Sequence, residues 1–192
     1  MLVIMSCVCD GRPGFFFVKQ KTAYEIEYGL VGSEMCIRDS LYASRIASAM
    51  GYTQVLWLDA RENRYVEEVG TSNIFFMIGD RLITPPLGGT ILPGVTRDSV
   101  LKLAAHLGVK AEESRIAITE VISAIEEGTL RDAFATGTAA VISPVGQIFY
   151  HNREYLINDG KTGELAEKLY HEILQIQYGL KEDPFGWRMR IA

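Results

Sequence analysis

One punctuated stretch sets the terms for the rest of the chain: Ile83-Thr84-Pro85-Pro86, then Ile91-Leu92-Pro93-Gly94-Val95-Thr96-Arg97-Asp98. It opens as a short apolar strand, passes through proline and glycine, and enters a helix at Thr96. The Thr96 hydroxyl is expected to cap that helix. Apolar residues recur at Val100, Leu103, Ala104 and Leu107, and Gly108 is the stop signal. The first N–H groups of such a helix have no intrahelical acceptor, and the dipole is positive there. The turn Gly94-Val95-Thr96 therefore favours an anion, by about 0.3–1 kcal/mol. A cofactor phosphate is the expected occupant, and a plain helix cap is the alternative.

The 192 residues suffice for one domain or one and a half, and an apolar fraction of 48% supports a real core. The net charge of −5, with no basic cluster, argues against a nucleic-acid partner. No apolar run is long enough to span a bilayer. Met1–Met5 is apolar but lacks a basic start, so no signal peptide is expected. Cys7, Cys9 and Cys36 all fall in the first forty residues. They give no disulfide framework and no zinc spacing, so a cytoplasmic setting is the default. His106, His151 and His171 lack metal-site spacing, and no metal is expected.

Residues 1–40 do not read like the remainder. Phe15-Phe16-Phe17 has no periodic partner. Lys19–Glu25 back-translates to a sequence resembling a flow-cell adapter used in DNA sequencing. Val31–Asp39 back-translates to one resembling a transposase adapter used in library preparation. By this resemblance Lys19–Asp39 is translated adapter DNA, and residues 1–40 are expected to be non-native and disordered. Residues 41–192 are then the genuine domain.

From Leu41 to Met50 the composition is helical, ending at Gly51. Gln54–Asp59 reads as a buried strand and Arg64–Glu67 begins another. Ile74–Ile78 and Leu82-Ile83 form a hairpin about Gly79-Asp80. Beyond Gly108 a strand is expected near Arg115-Ile116-Ala117, then a helix capped by Thr119 that stops at Gly128. Asp132–Ala135 and Val141-Ile142 flank the turn Thr136-Gly137-Thr138-Ala139-Ala140, and Gln147–Tyr150 pairs next. A last helix carries Leu165, Leu169, Ile173 and Ile176 and stops at Gly179. The aromatics of Asp183-Pro184-Phe185-Gly186-Trp187 should pack that tail down. Helices and strands mix without strict alternation, which predicts an α/β fold with a mixed sheet.

Three turns carry candidate chemistry. Glu67-Glu68 precedes Gly70, and adjacent strand residues should point to opposite faces, leaving one carboxylate for a pocket. The second is Gly94-Val95-Thr96. In the third, the small residues Gly137 to Ala140 let backbone N–H groups approach a ligand. A carboxylate, a helix start and such a turn suit a phosphorylated cationic heterocycle, and would suit other anions too.

Four motifs together are recognisable. They are Glu68-Val69-Gly70-Thr71-Ser72-Asn73, the Thr84-Pro85-Pro86 and Leu92–Asp98 pair, Gly137-Thr138-Ala139-Ala140 with Ser143-Pro144-Val145, and Asp183–Trp187. In order and spacing they resemble the branched-chain amino acid aminotransferases, class IV, fold-type IV pyridoxal-phosphate enzymes. The resemblance runs from Leu41 to the C-terminus and implies the family's pseudo-barrel C-terminal domain. It implies pyridoxal 5'-phosphate as cofactor, and amino transfer between leucine, isoleucine or valine and 2-oxoglutarate. Glu68 matches the acid that pairs with the pyridine nitrogen, and Leu92 the residue packed on the ring face. Val95 and Thr96 match the phosphate-binding helix start. Thr138 matches a second phosphate contact. Thr138 and Ala139 match the turn whose N–H groups hold the substrate carboxylate.

Two departures stand out. Counting back from Leu41 by the family's spacing puts Gly32 where its Schiff-base lysine belongs, and Ile37 where its tyrosine belongs. Lys102 is no substitute, because it falls on the polar side of its helix. The Cys-x-x-Cys pair of some animal members is replaced by Ala140 and Ser143. The parent gene is thus expected to encode a cytoplasmic, homo-oligomeric branched-chain aminotransferase with amino-acid and 2-oxo-acid substrates and no membrane partner. The chain itself is expected to be a non-catalytic fragment that lacks the N-terminal domain. A D-amino-acid aminotransferase or aminodeoxychorismate lyase of the same fold is the alternative.

Overall fold

The computed structural model describes residues 3–9, 12–17, 42–138 and 140–189. The strands are β1 (Val3–Cys9), β2 (Arg12–Phe17), β3 (Gln54–Leu58), β4 (Val66–Val69), β5 (Ser72–Ile78), β6 (Arg81–Thr84), β7 (Lys110–Glu113), β8 (Leu130–Gly137), β9 (Val141–Tyr150) and β10 (Arg153–Leu156). The helices are α1 (42–49), α2 (Val95–His106), α3 (Ile118–Glu126) and α4 (Glu164–Gln177). This is the mixed α/β class the sequence predicts. Nearly all pairings are antiparallel, and β2–β3 and β6–β7 are parallel.

The sheet curls until it meets itself. Strand β5 pairs with both β4 and β8, β8 with β9, β9 with β1, β1 with β3, and β3 with β4. β6 and β7 extend from β5, and β10 from β9. Residues 3–9 and 12–17 are therefore strands, where the sequence predicts disorder. Their apolar runs suit extended backbone, and β3 and β9 offer them ladder positions. Lys19–Asp39 lies outside the described residues.

β5 is buried on both faces, which explains its unbroken apolar run. Ile74 and Phe76 join a core shared with β3, β4, α1 and α3. Phe75 points the other way, into a core under α2 and α4 formed with Leu82, Val100, Leu103, Leu169 and Ile173. Phe75 also stacks on its cross-strand partner Phe134 at 5.3 Å. Phe185 and Trp187 stack at 4.3 Å and pack against this second core, as the tail's aromatics predict.

Several local expectations are corrected. α2 begins at Val95 with Gly94 as its N-cap, so Thr96 lies inside the first turn and does not cap. The N-cap of α3 is Ala117 rather than Thr119, and the Glu120 carboxylate accepts the Ala117 N–H at 2.6 Å. The strand after α2 runs over Lys110–Glu113, ahead of the expected place, because it pairs in parallel with β6. Ala117 makes only an isolated bridge to Tyr65. Among the described residues, no helix is long and apolar enough to cross a membrane.

Candidate cofactor site

The β4–β5 hairpin turns at Gly70-Thr71, with Val69 opposite Ser72 and Glu68 opposite Asn73. Gly70 has φ +57, in the left-handed region, and a Cβ there would strike the Gln54 side chain. The Gly70 carbonyl accepts the Trp57 indole N–H at 3.0 Å. The hairpin tip is thus pinned against β3.

The loop between β6 and α2 folds over the end of β4. The Leu92 N–H donates to Glu68 Oε1 at 2.7 Å, and the Thr90 hydroxyl donates to Glu67 Oε1 at 2.7 Å. Glu67 and Glu68 line the same cavity of about 290 Å³, together with Gln54, Trp57, Thr71 and Thr90. This corrects the expectation that only one carboxylate faces a pocket: the loop covers the strand end, so side chains of both pleat directions reach it. A second cavity of about 320 Å³ is lined by Ser72, Gly137, Thr138, Ala140 and Ser143, and shares Gln54 and Thr71 with the first. A Cβ on Gly137 would lie 2.9 Å from Ser72 Oγ, so glycine lets β8 close down on the hairpin.

α2 enters beside the first cavity. A Cβ on Gly94 would collide with the Asn73 side-chain oxygen. The N–H groups of Val95, Thr96 and Arg97 have no acceptor within their own helix. Arg97 is buried and holds the helix start in place. Its Nη2 donates to the Pro85 carbonyl at 2.9 Å and to the Glu113 carboxylate. Leu92 and Val95 are 66% and 83% exposed, two apolar side chains bare just before and at the start of α2. Val141 closes the β8–β9 turn at φ +55. That conformation costs a β-branched residue about 1–2 kcal/mol, so strain sits beside Thr138.

Of the residues singled out from sequence, Glu68 and Leu92 are hydrogen-bonded to each other. Val95 and Thr96 follow Gly94 directly, and Thr138 lines the adjoining cavity. Ala139 lies outside the described residues, as do Gly32 and Ile37. Sequence reasoning missed Gln54, Trp57 and Thr90 as lining residues, and Asn73 as a link. A polar Asn73 leading into the buried run Ile74-Phe75-Phe76 was the available signal.

The arrangement fits a ligand with an anionic group and a ring nitrogen. The helix start offers N–H groups with no intrahelical acceptor, Glu68 a carboxylate, and the Gly137 cradle a close backbone approach. The lysines at 102, 110, 161, 168 and 181 are all exposed, and none lines either cavity. Lys102 pairs with Asp98 at 2.6 Å on the outer face of α2. Among the described residues, no group of His, Cys, Asp and Glu could hold a metal ion.

Residues 34–148 match the model of the amino-transferase class IV family, so the chain belongs to the class IV aminotransferases. Within the class it is similar to branched-chain-amino-acid aminotransferase 2 of Bacillus subtilis, 51% identical over 153 residues. That match covers 80% of this chain and 42% of the relative. The branched-chain amino acid aminotransferase of Escherichia coli shares the fold, with a TM-score of 0.64 at 30% identity over 77% of this chain and 46% of that one. A further branched-chain amino acid aminotransferase, that of T.th., was solved with pyridoxamine 5'-phosphate and matches with a TM-score of 0.64 at 30% identity, covering 78% of this chain and 45% of that one. The chain therefore spans less than half the length of these relatives.

Proposed function

We propose that residues 41–192 are the cofactor-binding domain of a pyridoxal 5'-phosphate-dependent branched-chain aminotransferase. The parent enzyme transfers an amino group between leucine, isoleucine or valine and 2-oxoglutarate. The observation that carries this reading is the hydrogen bond from the Leu92 N–H to Glu68 Oε1, which ties the carboxylate to the loop entering α2. Glu68 holds a proton on the cofactor's ring nitrogen. The N–H groups of Val95 and Thr96 take the phosphate, with Thr138 as a second contact, and Leu92 packs on the ring face. Backbone N–H groups of Thr138 and Ala139 take the substrate carboxylate. When bound, the cofactor supplies a ring that accepts electron density as the substrate Cα–H is lost.

Because Gly32 stands where the Schiff-base lysine is expected, no lysine occupies the position from which the family tethers the cofactor and moves the Cα proton. It is a non-covalent binder rather than a catalyst. Lys19–Asp39 is translated adapter sequence and residues 1–40 are not part of the native protein. The parent is read as cytoplasmic and homo-oligomeric with no membrane partner, and the net charge of −5 argues against a nucleic-acid partner.

Pyridoxamine 5'-phosphate needs no lysine, so it tests the site directly. Titrated into the chain, it is expected to bind saturably and to lose affinity in Glu68→Gln. No binding would refute the cofactor site. Genomic sequence upstream of Leu41 is expected to restore the lysine. The repaired enzyme should then prefer branched L-amino acids, whereas turnover of D-alanine or aminodeoxychorismate instead would reassign it within the class.

A further inference from the structure

Asn73 has no role in the function proposed above, yet its side chain touches both Glu68 and the loop that enters α2. It is the second residue of β5, is 5% exposed, and pairs in register with Glu68 on β4 and Thr136 on β8. Its Nδ2 donates to the Leu92 carbonyl at 2.9 Å and to Glu68 Oε1 at 3.4 Å. The Leu92 N–H donates to that same carboxylate oxygen at 2.7 Å. Its Oδ1 occupies the space that a Cβ on Gly94 would need. One amide thus braces the carboxylate, the loop carbonyl and the N-cap of α2. Only an amide offers two donors and an acceptor in one short planar group; an aspartate here would offer no donor.

We infer that Asn73 is a positioning residue that fixes the distance between the Glu68 carboxylate and the N-terminus of α2. It sets the span of the site, so that a ligand's ring nitrogen and its phosphate are engaged together. The inference rests on the cofactor reading above. It has a signature that general loss of structure lacks. A ligand gripping both ends feels the span, whereas a ligand gripping only the helix start does not.

The test compares pyridoxamine 5'-phosphate with inorganic phosphate on the full chain, by calorimetry and amide chemical shifts. Asn73→Ala leaves Glu68 and the Leu92 carbonyl without their shared donor and should weaken pyridoxamine 5'-phosphate about tenfold. Gly94→Ala pushes on Asn73 from the loop side and should weaken it by a similar factor. Phosphate affinity should stay unchanged in Asn73→Ala, which leaves the turn Gly94-Val95-Thr96 itself intact. In the double variant, Gly94→Ala should add no further loss, because the group it displaces is gone. Should Asn73→Ala fail to fold, Asn73→Asp decides, since it keeps the shape of the group and removes its donors. If the wild-type chain binds pyridoxamine 5'-phosphate and the variants bind it equally well, Asn73 sets no span. An equal loss of phosphate binding would also overturn the inference, as damage to the helix entry itself. A wild-type chain that binds no pyridoxamine 5'-phosphate overturns the cofactor reading and this inference with it.

Discussion

Asp132 on β8 accepts the backbone N–H of Ala166 at 2.8 Å, so a strand carboxylate closes the first turn of α4. The two groups come from sequence-distant elements, and Gly163 keeps the approach open: a Cβ there would collide with the Asp132 carboxyl group. Burial pushes the Asp132 carboxyl up to about 6 from its ordinary 3.8, outweighing the N–H groups of Ala166, Ala133, Gly163 and Leu165 that pull it down.

That shift has a definite sign in stability. Below its ordinary value the carboxyl is neutral in both folded and unfolded chains. As pH rises from about 4 to about 6 the unfolded chain loses its proton first. Stability is therefore lost across that window, by about 3 kcal/mol in all, and the loss persists above it. Urea unfolding from pH 4 to 7 should show this component in the wild type and not in Asp132→Asn. Identical pH dependence in the two proteins would count against it.

Trp57 lines the cavity that holds Glu68, whereas Trp187 stacks on Phe185 against the other core. Binding of pyridoxamine 5'-phosphate should quench Trp57 emission. The quench should survive Trp187→Phe and vanish in Trp57→Phe, as read by steady-state fluorescence.

Gly70→Ala meets two obstacles, the left-handed φ of +57 and the Gln54 side chain. The backbone strain alone is about 1–2 kcal/mol. A loss of at least about 2 kcal/mol is expected in chemical denaturation. Adding Gln54→Ala should recover the part due to collision and leave the part due to φ.

Pyridoxal 5'-phosphate followed by borohydride should fix no dominant modified lysine among the described residues. Peptide mapping should find only scattered, substoichiometric labelling, because the lysines from 102 to 181 are all exposed and outside the cavities. One site labelled to completion among these lysines would contradict the reading that none of them tethers the cofactor.

Much of this was legible in the sequence where a local rule decides alone. The Gly79-Asp80 hairpin forms as its turn residues predict, with Ile78 opposite Arg81. The α4 stripe buries Leu169, Ile173 and Ile176, although Ala166 rather than Leu165 completes it. The helix starts differ from the sequence expectation because cap preference is a local bias, and packing shifts them. Gly94 takes the α2 cap because Asn73 leaves no room for a side chain there. β10 went unnoticed because its register depends on His151 and Asn152 both adopting positive φ, which composition does not announce. The two carboxylates lining one cavity could not be foreseen either, since the β6–α2 loop supplies the far wall.

The closed circuit of strands has a practical consequence for anyone trimming this protein. β1 is the seam between β3 and β9. A chain started at Leu41 would leave both neighbours with rows of unsatisfied peptide groups, and such borders recruit strands from other molecules. The shortened domain should therefore self-associate on purification unless another segment is supplied to close the seam.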